Sequence, residues 1–190
     1  MFTPDEQSKI LMVKAIIKSK MEALDELVAG FNGGRTNYFV SGGCIASLLQ
    51  DEEPKDYDVY FRSAEILDGL KNYLTTTGRD KVAEVESKYR EVETDDGKLI
   101  TENAITLNNH IQIILKHTGE PEAVRRTFDF VHCMPYYDSK DGMLHISKVQ
   151  HEAIMTKILR VNNSNAVTKH RIEKFQQRKY TYHGPQIPWP

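Results

Sequence analysis

The sequence predicts an α+β fold, a mixed β-sheet flanked by helices over the first two-thirds of the chain and a helical final third. Three observations carry this. Short apolar runs rich in β-branched and aromatic residues, "YFVS" (38–41), "YDVYF" (57–61) and "HIQIILK" (110–116), have the length and composition of strands. They alternate with segments of helical period, and beyond residue 146 the period is helical throughout. Two capping boxes, Thr3 with Glu6 and Ser147 with Gln150, mark where the first helix and the C-terminal helices begin. The expected organisation is a core over 1–146 and a helical subdomain with a Pro-rich tail over 147–190.

Each element follows from local chemistry. Pro4 occupies the first helical position, and Ile10, Val13, Ile16/Ile17, Met21, Leu24 and Leu27/Val28 recur at helical spacing until Gly30. "NGGRTN" is a loop, "YFVS" a short buried strand and "CIASLLQ" a helix opening at the glycines; "DEEP" is a second loop before the strand "YDVYF". Ser63 caps a helix carrying Ile66, Leu67, Leu70 and Leu74 that closes at Gly78. Residues 80–98 fit strand and helix equally. "LITENAITL" and "HIQIILK", joined by Asn108-Asn109, form a hairpin. "GEPEAVRRT" reads as a short helix, "FDFVHCM" as a strand, and Asp141-Gly142 as a turn between apolar runs. The C-terminal helices start at Ser147 and at about Asn165, the second reaching Lys179; Trp189 lies in an extended tail.

With 190 residues, 27% charged and 39% hydrophobic, the chain has the balance of one soluble domain with a core. No run approaches the ~18 apolar residues of a membrane span, and the N-terminus lacks the order of a signal peptide, so the expected compartment is the cytoplasm. Cys44 and Cys133 form no CxxC pair and read as buried thiols. Lys148–Tyr180 carries eight Lys/Arg against Glu152 and Glu173 in a chain of net charge −2. That asymmetry suits either an anionic ligand or a solvated helix face.

The chemistry concentrates at 39–61. Asp56 and Asp58 project to one face of a strand while Tyr57 turns into the core. Carboxylates held so close repel unless a cation lies between them, and hard divalent ions, Mg²⁺ or Mn²⁺, suit oxygen ligands. Upstream, Ser41, Gly42 and Gly43 lie between a strand and a helix start, where backbone N–H groups favour an anion and the missing Cβ atoms admit a phosphate chain. Each half is weak alone. In this order they describe a site for a metal-bound nucleoside triphosphate such as ATP.

This strand–Gly-Gly–helix–loop–Asp-x-Asp order resembles the DNA polymerase beta-type nucleotidyltransferase superfamily, whose pattern adds a third acid on a neighbouring strand. The resemblance implies a Mg²⁺-dependent nucleotidyltransferase in which Asp56, Asp58 and Asp129 hold metal, Asp129 serving the acceptor hydroxyl; Asp138 and Asp141 are rivals in a turn. Residues 38–180 also resemble small nucleotidyltransferase-like proteins of tailed bacteriophages, which implies the host bacterial cytoplasm. Where tRNA nucleotidyltransferases carry Arg-Asp after the glycines, this chain has Cys44, Ile45, Ala46 and Ser47, and the Glu-Asp-x-x-Arg motif is missing. Both departures argue against CCA addition.

The ordinary alternatives are specific. Asp56 and Asp58 are otherwise solvated strand residues, and Asp129 a partner for Arg125 or Arg126. His132 is a hydrogen-bonded sheet histidine, and adjacency on a strand sets it on the opposite face from Cys133, which argues against a Cys–His nucleophile. Tyr136 and Tyr137 read as core or edge residues rather than base platforms. Lys157 with Arg160, and Arg171 with Lys174, share helix faces and are the candidate phosphate ligands. The expected reaction moves a nucleoside monophosphate onto an RNA or tRNA 3′ end, a small molecule or a protein hydroxyl. A nucleotide-sensing or host-modulating binding protein and a nucleic-acid-binding module are the alternatives.

Overall fold

The computed structural model describes residues 1–89 and 100–185. Residues 90–99, which overlap the ambiguous 80–98 stretch, and residues 186–190, Trp189 among them, lie outside them. Among the described residues, seven strands form one mixed sheet in the order β3-β4-β5-β2-β1-β6-β7. These are β1 (Tyr38–Ser41), β2 (Tyr57–Phe61), β3 (Val82–Tyr89), β4 (Ile100–Leu107), β5 (Ile111–Thr118), β6 (Tyr136–Asp138) and β7 (Met143–His145). β2 runs antiparallel to β1 and parallel to β5; the other neighbours pair antiparallel. The expected α+β class is the observed one.

The helix α1 (Pro4–Val28) begins at the Thr3–Glu6 capping box, both reciprocal bonds being made. Val13, Ile17, Met21, Leu24 and Val28 are its buried stripe. With α2 (Gly43–Leu49) and α3 (Ala64–Thr76) it covers one face of the sheet, onto which Val40, Tyr57, Val59, Phe61, Ile111 and Ile113 project. The opposite face carries Phe39 stacked on Tyr60 at 5.3 Å and closed by Val124 of α4 (Pro121–Arg125). Every residue of β1 is buried, because layers cover it from both sides. This explains why "YFVS" lacks polar alternation.

A second core joins Phe130 and Cys133 to Leu159, Val167, Ile172, Phe175 and Tyr180. Around it lie α5 (Lys148–Met155), begun by the Ser147–Gln150 capping box, and α6 (Lys169–Gln176), capped by Thr168. The second C-terminal helix is thus shorter than its apolar spacing suggests, since residues 164–166 form a separate 3₁₀ turn and Val167 is extended.

One expected strand is not a strand. In 128–134 the chain bends at Asp129, makes a single bridge from Phe130 to Val161 and turns through 3₁₀ geometry at Val131–Cys133. Its backbone groups are claimed from several directions. Asn162 N–H donates to the Asp129 carbonyl at 2.7 Å, Arg160 O accepts from Val131 N–H at 2.9 Å, and Gly42 N–H donates to Cys133 O at 3.0 Å. The apolar residues of this segment feed two different cores, which mimics a strand pattern without a sheet partner. No helix among the described residues is long and apolar enough to cross a membrane.

Candidate functional site

A cleft of about 530 Å³ opens between the sheet and the segment carrying α6. Its floor comes from the ends of β1 and β2. Asp58 lies in β2, pairs in register with Ser41 across β1, and shares its face with Tyr60, while Tyr57 turns into the core as expected. Asp56 immediately precedes the strand and lines the same cleft. The expected carboxylate pair therefore meets in one place.

Gly42 makes that possible. Its φ is +93°, and a Cβ there would stand 2.7 Å from Asp58 Oδ2. Only glycine tolerates both the conformation and the approach. Gly43, the first residue of α2, has ordinary helical geometry, and a Cβ on it would meet only the Arg178 guanidinium at 3.6 Å. Ser41, expected beside the phosphates, does not line the cleft. It is fully buried, and its hydroxyl reaches the Pro135 carbonyl at 2.8 Å and the Cys133 carbonyl at 3.2 Å. Gly42 N–H is likewise taken by Cys133 O, so neither residue offers the anion-binding donor expected of it.

The opposite wall is α6 and the residues after it. Arg171, Lys174 and Arg178, at helical spacings of three and four, all line the cleft. Among the described residues, neither Lys174 nor Arg178 is ion-paired, whereas Arg171 is held by Asp129. The Lys174 ammonium is depressed by partial burial and by the Arg171 and Arg178 guanidiniums, with Asp58 pulling the other way. These are cations short of an anion. Arg178 is not singled out by the sequence pattern above, although its spacing from Arg171 and Lys174 carries the signal. The other basic pair does not reach the cleft. α5 ends at Met155, so Lys157 and Arg160 share no helix face; Lys157 pairs with Glu52 at 2.9 Å and Arg160 with Glu152 at 3.3 Å.

Asp129 lines the cleft but is 4% exposed and occupied. Its Oδ2 accepts from Arg171 Nε at 2.6 Å, and its Oδ1 from Arg171 Nη2 at 3.3 Å and from Phe130 N–H at 2.9 Å. Its partner is thus neither Arg125 nor Arg126, which bond Met134 O and Glu122 respectively. The strand neighbour of Asp58 on β5 is Gln112, an amide whose Nε2 donates to Thr106 Oγ1 at 3.2 Å. An acid on a neighbouring strand, expected from the resemblance, is replaced at this register by a neutral side chain.

Asp138 and Asp141 sit on the β6–β7 hairpin. With His145 they form a trio whose ligand atoms all lie within 4.8 Å of one another and can hold a divalent ion. Each has a structural partner as well: Asp138 pairs with Arg62 at 2.7 Å, and Asp141 bonds His145 at 2.8 Å and caps Met143 N–H. Tyr136 is sandwiched between Arg125 and His145, and Tyr137 is core, so neither is a base platform. Cys44 and Cys133 are free and buried, as expected.

His132 and Cys133 do meet, Nε2 lying 3.3 Å from Sγ, because the 3₁₀ turn brings together what a strand would separate. They still make no nucleophile. Burial pushes the thiol up to about 12 and the imidazole down to about 4, so neither charges. The unfolded chain binds a proton on His132 below pH 6.5 that the folded chain resists until about pH 4. Stability attributable to this residue is therefore complete above pH 6.5 and falls as pH drops through that window, by on the order of 3 kcal/mol. Thermal melts at pH 7.5 and 4.5 should show His132→Phe losing much less stability on acidification than the wild type. Equal losses would assign the acid sensitivity elsewhere.

Comparisons with known proteins agree with this architecture. A family model described as "Gabija anti-defense 2 family protein" matches residues 12–157. "Gabija anti-defense 2" of Bacillus phage SPbetaL7 is 28% identical over 177 residues, covering 90% of this chain and 40% of that protein. The chain thus spans well under half the length of that relative. Among solved structures, the Thermotoga maritima CCA-adding enzyme complexed with tRNA is 16% identical with a TM-score of 0.53, over 87% of this chain and 40% of that one. A CCA-adding enzyme complexed with CTP gives 15% and 0.54, over 86% and 39%. At such identities the likeness is one of fold, the mixed sheet with its flanking helices.

Proposed function

The chain belongs to the Gabija anti-defense 2 family, and we propose that it is a metal-dependent nucleotidyltransferase that opposes Gabija defence in the host bacterial cytoplasm. The observation that carries this reading is the cleft itself, with Asp56 and Asp58 on one side and Arg171, Lys174 and Arg178 on the other. Acid and base stand across the cleft in the arrangement a cation–triphosphate complex requires. The donor set fits a hard divalent ion, and Gly42 clears the space into which the Asp58 carboxylate turns. Asp56 and Asp58 would hold Mg²⁺ or Mn²⁺, which supplies neutralisation of the phosphate charge at the reacting end. Lys174 and Arg178 bind the phosphate chain, and Gly43 leaves it room to approach. The acceptor hydroxyl, on RNA, a small molecule or a protein, gives up its proton to solvent and its oxygen joins the α-phosphorus as the bond to the β-phosphate breaks and pyrophosphate leaves. The protein contributes position and charge.

The test is incubation with each α-labelled triphosphate, Mg²⁺ or Mn²⁺ and lysate of Gabija-carrying cells, followed by identification of the labelled molecule. Label on one acceptor, lost in EDTA, is expected. A second reading is favoured by Gln112 beside Asp58 and by the occupied state of Asp129: a nucleotide-binding antagonist that sequesters triphosphates without turnover. Tight triphosphate binding with no labelled product in any lysate would establish that reading over transfer.

A further inference from the structure

We infer that Asp129 is a positioning residue for Arg171, fixing its guanidinium as the rigid member of a triphosphate clamp, and is not a metal ligand. The inference rests on the reading of the cleft as a triphosphate site.

The acid is built in rather than poised. Its carbonyl is held by Asn162 and Asn163 N–H at 2.7 and 3.2 Å, its side chain by Phe130 N–H, and it is 4% exposed. Against this fixed carboxylate Arg171 lays two of its nitrogens, while its guanidinium sits 5.0 Å over the Phe175 ring. Edge and face of the fork are thereby set. The Nη1 nitrogen makes no hydrogen bond among the described residues, and the side chain, 35% exposed, lines the cleft beside Lys174 and Arg178. A free arginine surrenders rotamer entropy when it grips a ligand. One already oriented gives up less, so pre-organisation shows up as affinity. To ligate a metal, Asp129 would have to release this fork and leave a partly buried guanidinium unpaired.

Two effects oppose each other when the carboxylate is neutralised. Loss of its charge favours any incoming anion by Coulomb's law, and loss of the fixed fork disfavours it. The second effect wins. Calorimetry of inorganic tripolyphosphate and of ATP, each with Mg²⁺ and in EDTA, decides it for wild type, Asp129→Asn, Arg171→Lys, Arg171→Ala and the double variant Asp129→Asn/Arg171→Ala. Expected is a loss of about tenfold in tripolyphosphate affinity for Asp129→Asn, the same with and without Mg²⁺, and a similar loss for Arg171→Lys, which keeps charge but not the fork. On the Arg171→Ala background, Asp129→Asn should add nothing further. A loss seen only with Mg²⁺ would make Asp129 a metal ligand. Unchanged or tighter binding would make it a bystander or a counter-ion, and full additivity would break its link to Arg171. Each of these overturns the inference while leaving the triphosphate site standing, whereas absence of binding by the wild type removes both. Should Asp129→Asn misfold by circular dichroism, Arg171→Lys against wild type in EDTA carries the decision: wild-type affinity there overturns the inference.

Discussion

Asp58→Asn is expected to lower nucleotidyl transfer on the order of 10³-fold or more and to abolish the Mg²⁺ dependence of triphosphate binding, with the fold unchanged. The substitution keeps the shape of the side chain, so the approach to Gly42 survives. What is lost is one of two adjacent charges, Asp56 and Asp58, that together suit a divalent ion. Residual binding should rest on Lys174, Arg178 and Arg171 and should become steeply salt-dependent. Calorimetry with and without Mg²⁺, beside label incorporation, measures both effects. Undiminished transfer by the variant would end the enzyme reading.

Gly42→Val should be the most damaging single change at the glycine pair. A side chain at φ +93° costs about 1–3 kcal/mol in backbone strain, and the clash with Asp58 Oδ2 forces that carboxylate to shift. The chain is expected to melt several degrees lower and to lose triphosphate binding, since relief of the clash displaces Asp58. Gly43→Ala is the control. Its Cβ meets only Arg178 at an ordinary contact distance, and alanine suits a helix better than glycine, so thermal stability should hold or rise. Equal melting temperatures for Gly42→Val and wild type would mean that the turn relaxes freely and that the cleft floor is not held as described.

Much of this fold is legible in local chemistry. Thr3 and Ser147 announce their helices because a capping box involves residues three apart, and both boxes form. Asp56 and Asp58 reach one cleft because a strand alternates with period two and the acids sit at its entrance. The segment 128–134 is illegible for the complementary reason. Its apolar residues serve two cores, and its backbone partners, Gly42, Arg160 and Asn162, lie far away in sequence.

The α+β class, the helix starts, the acid pair and the glycine upstream of it are all readable along the chain, since each rests on local periodicity, capping or turn chemistry. Which charges face which follows from packing between distant segments. That packing turned Ser41 inward, tied Lys157 and Arg160 to Glu52 and Glu152, set Gln112 beside Asp58, and brought Arg171 to Asp129 and Arg178 to Gly43. Charge is long-ranged and indifferent to sequence separation, while periodicity is local. A basic helix therefore reads alike whether it faces water or a phosphate, until the sheet register and the packing of α6 give it something to face.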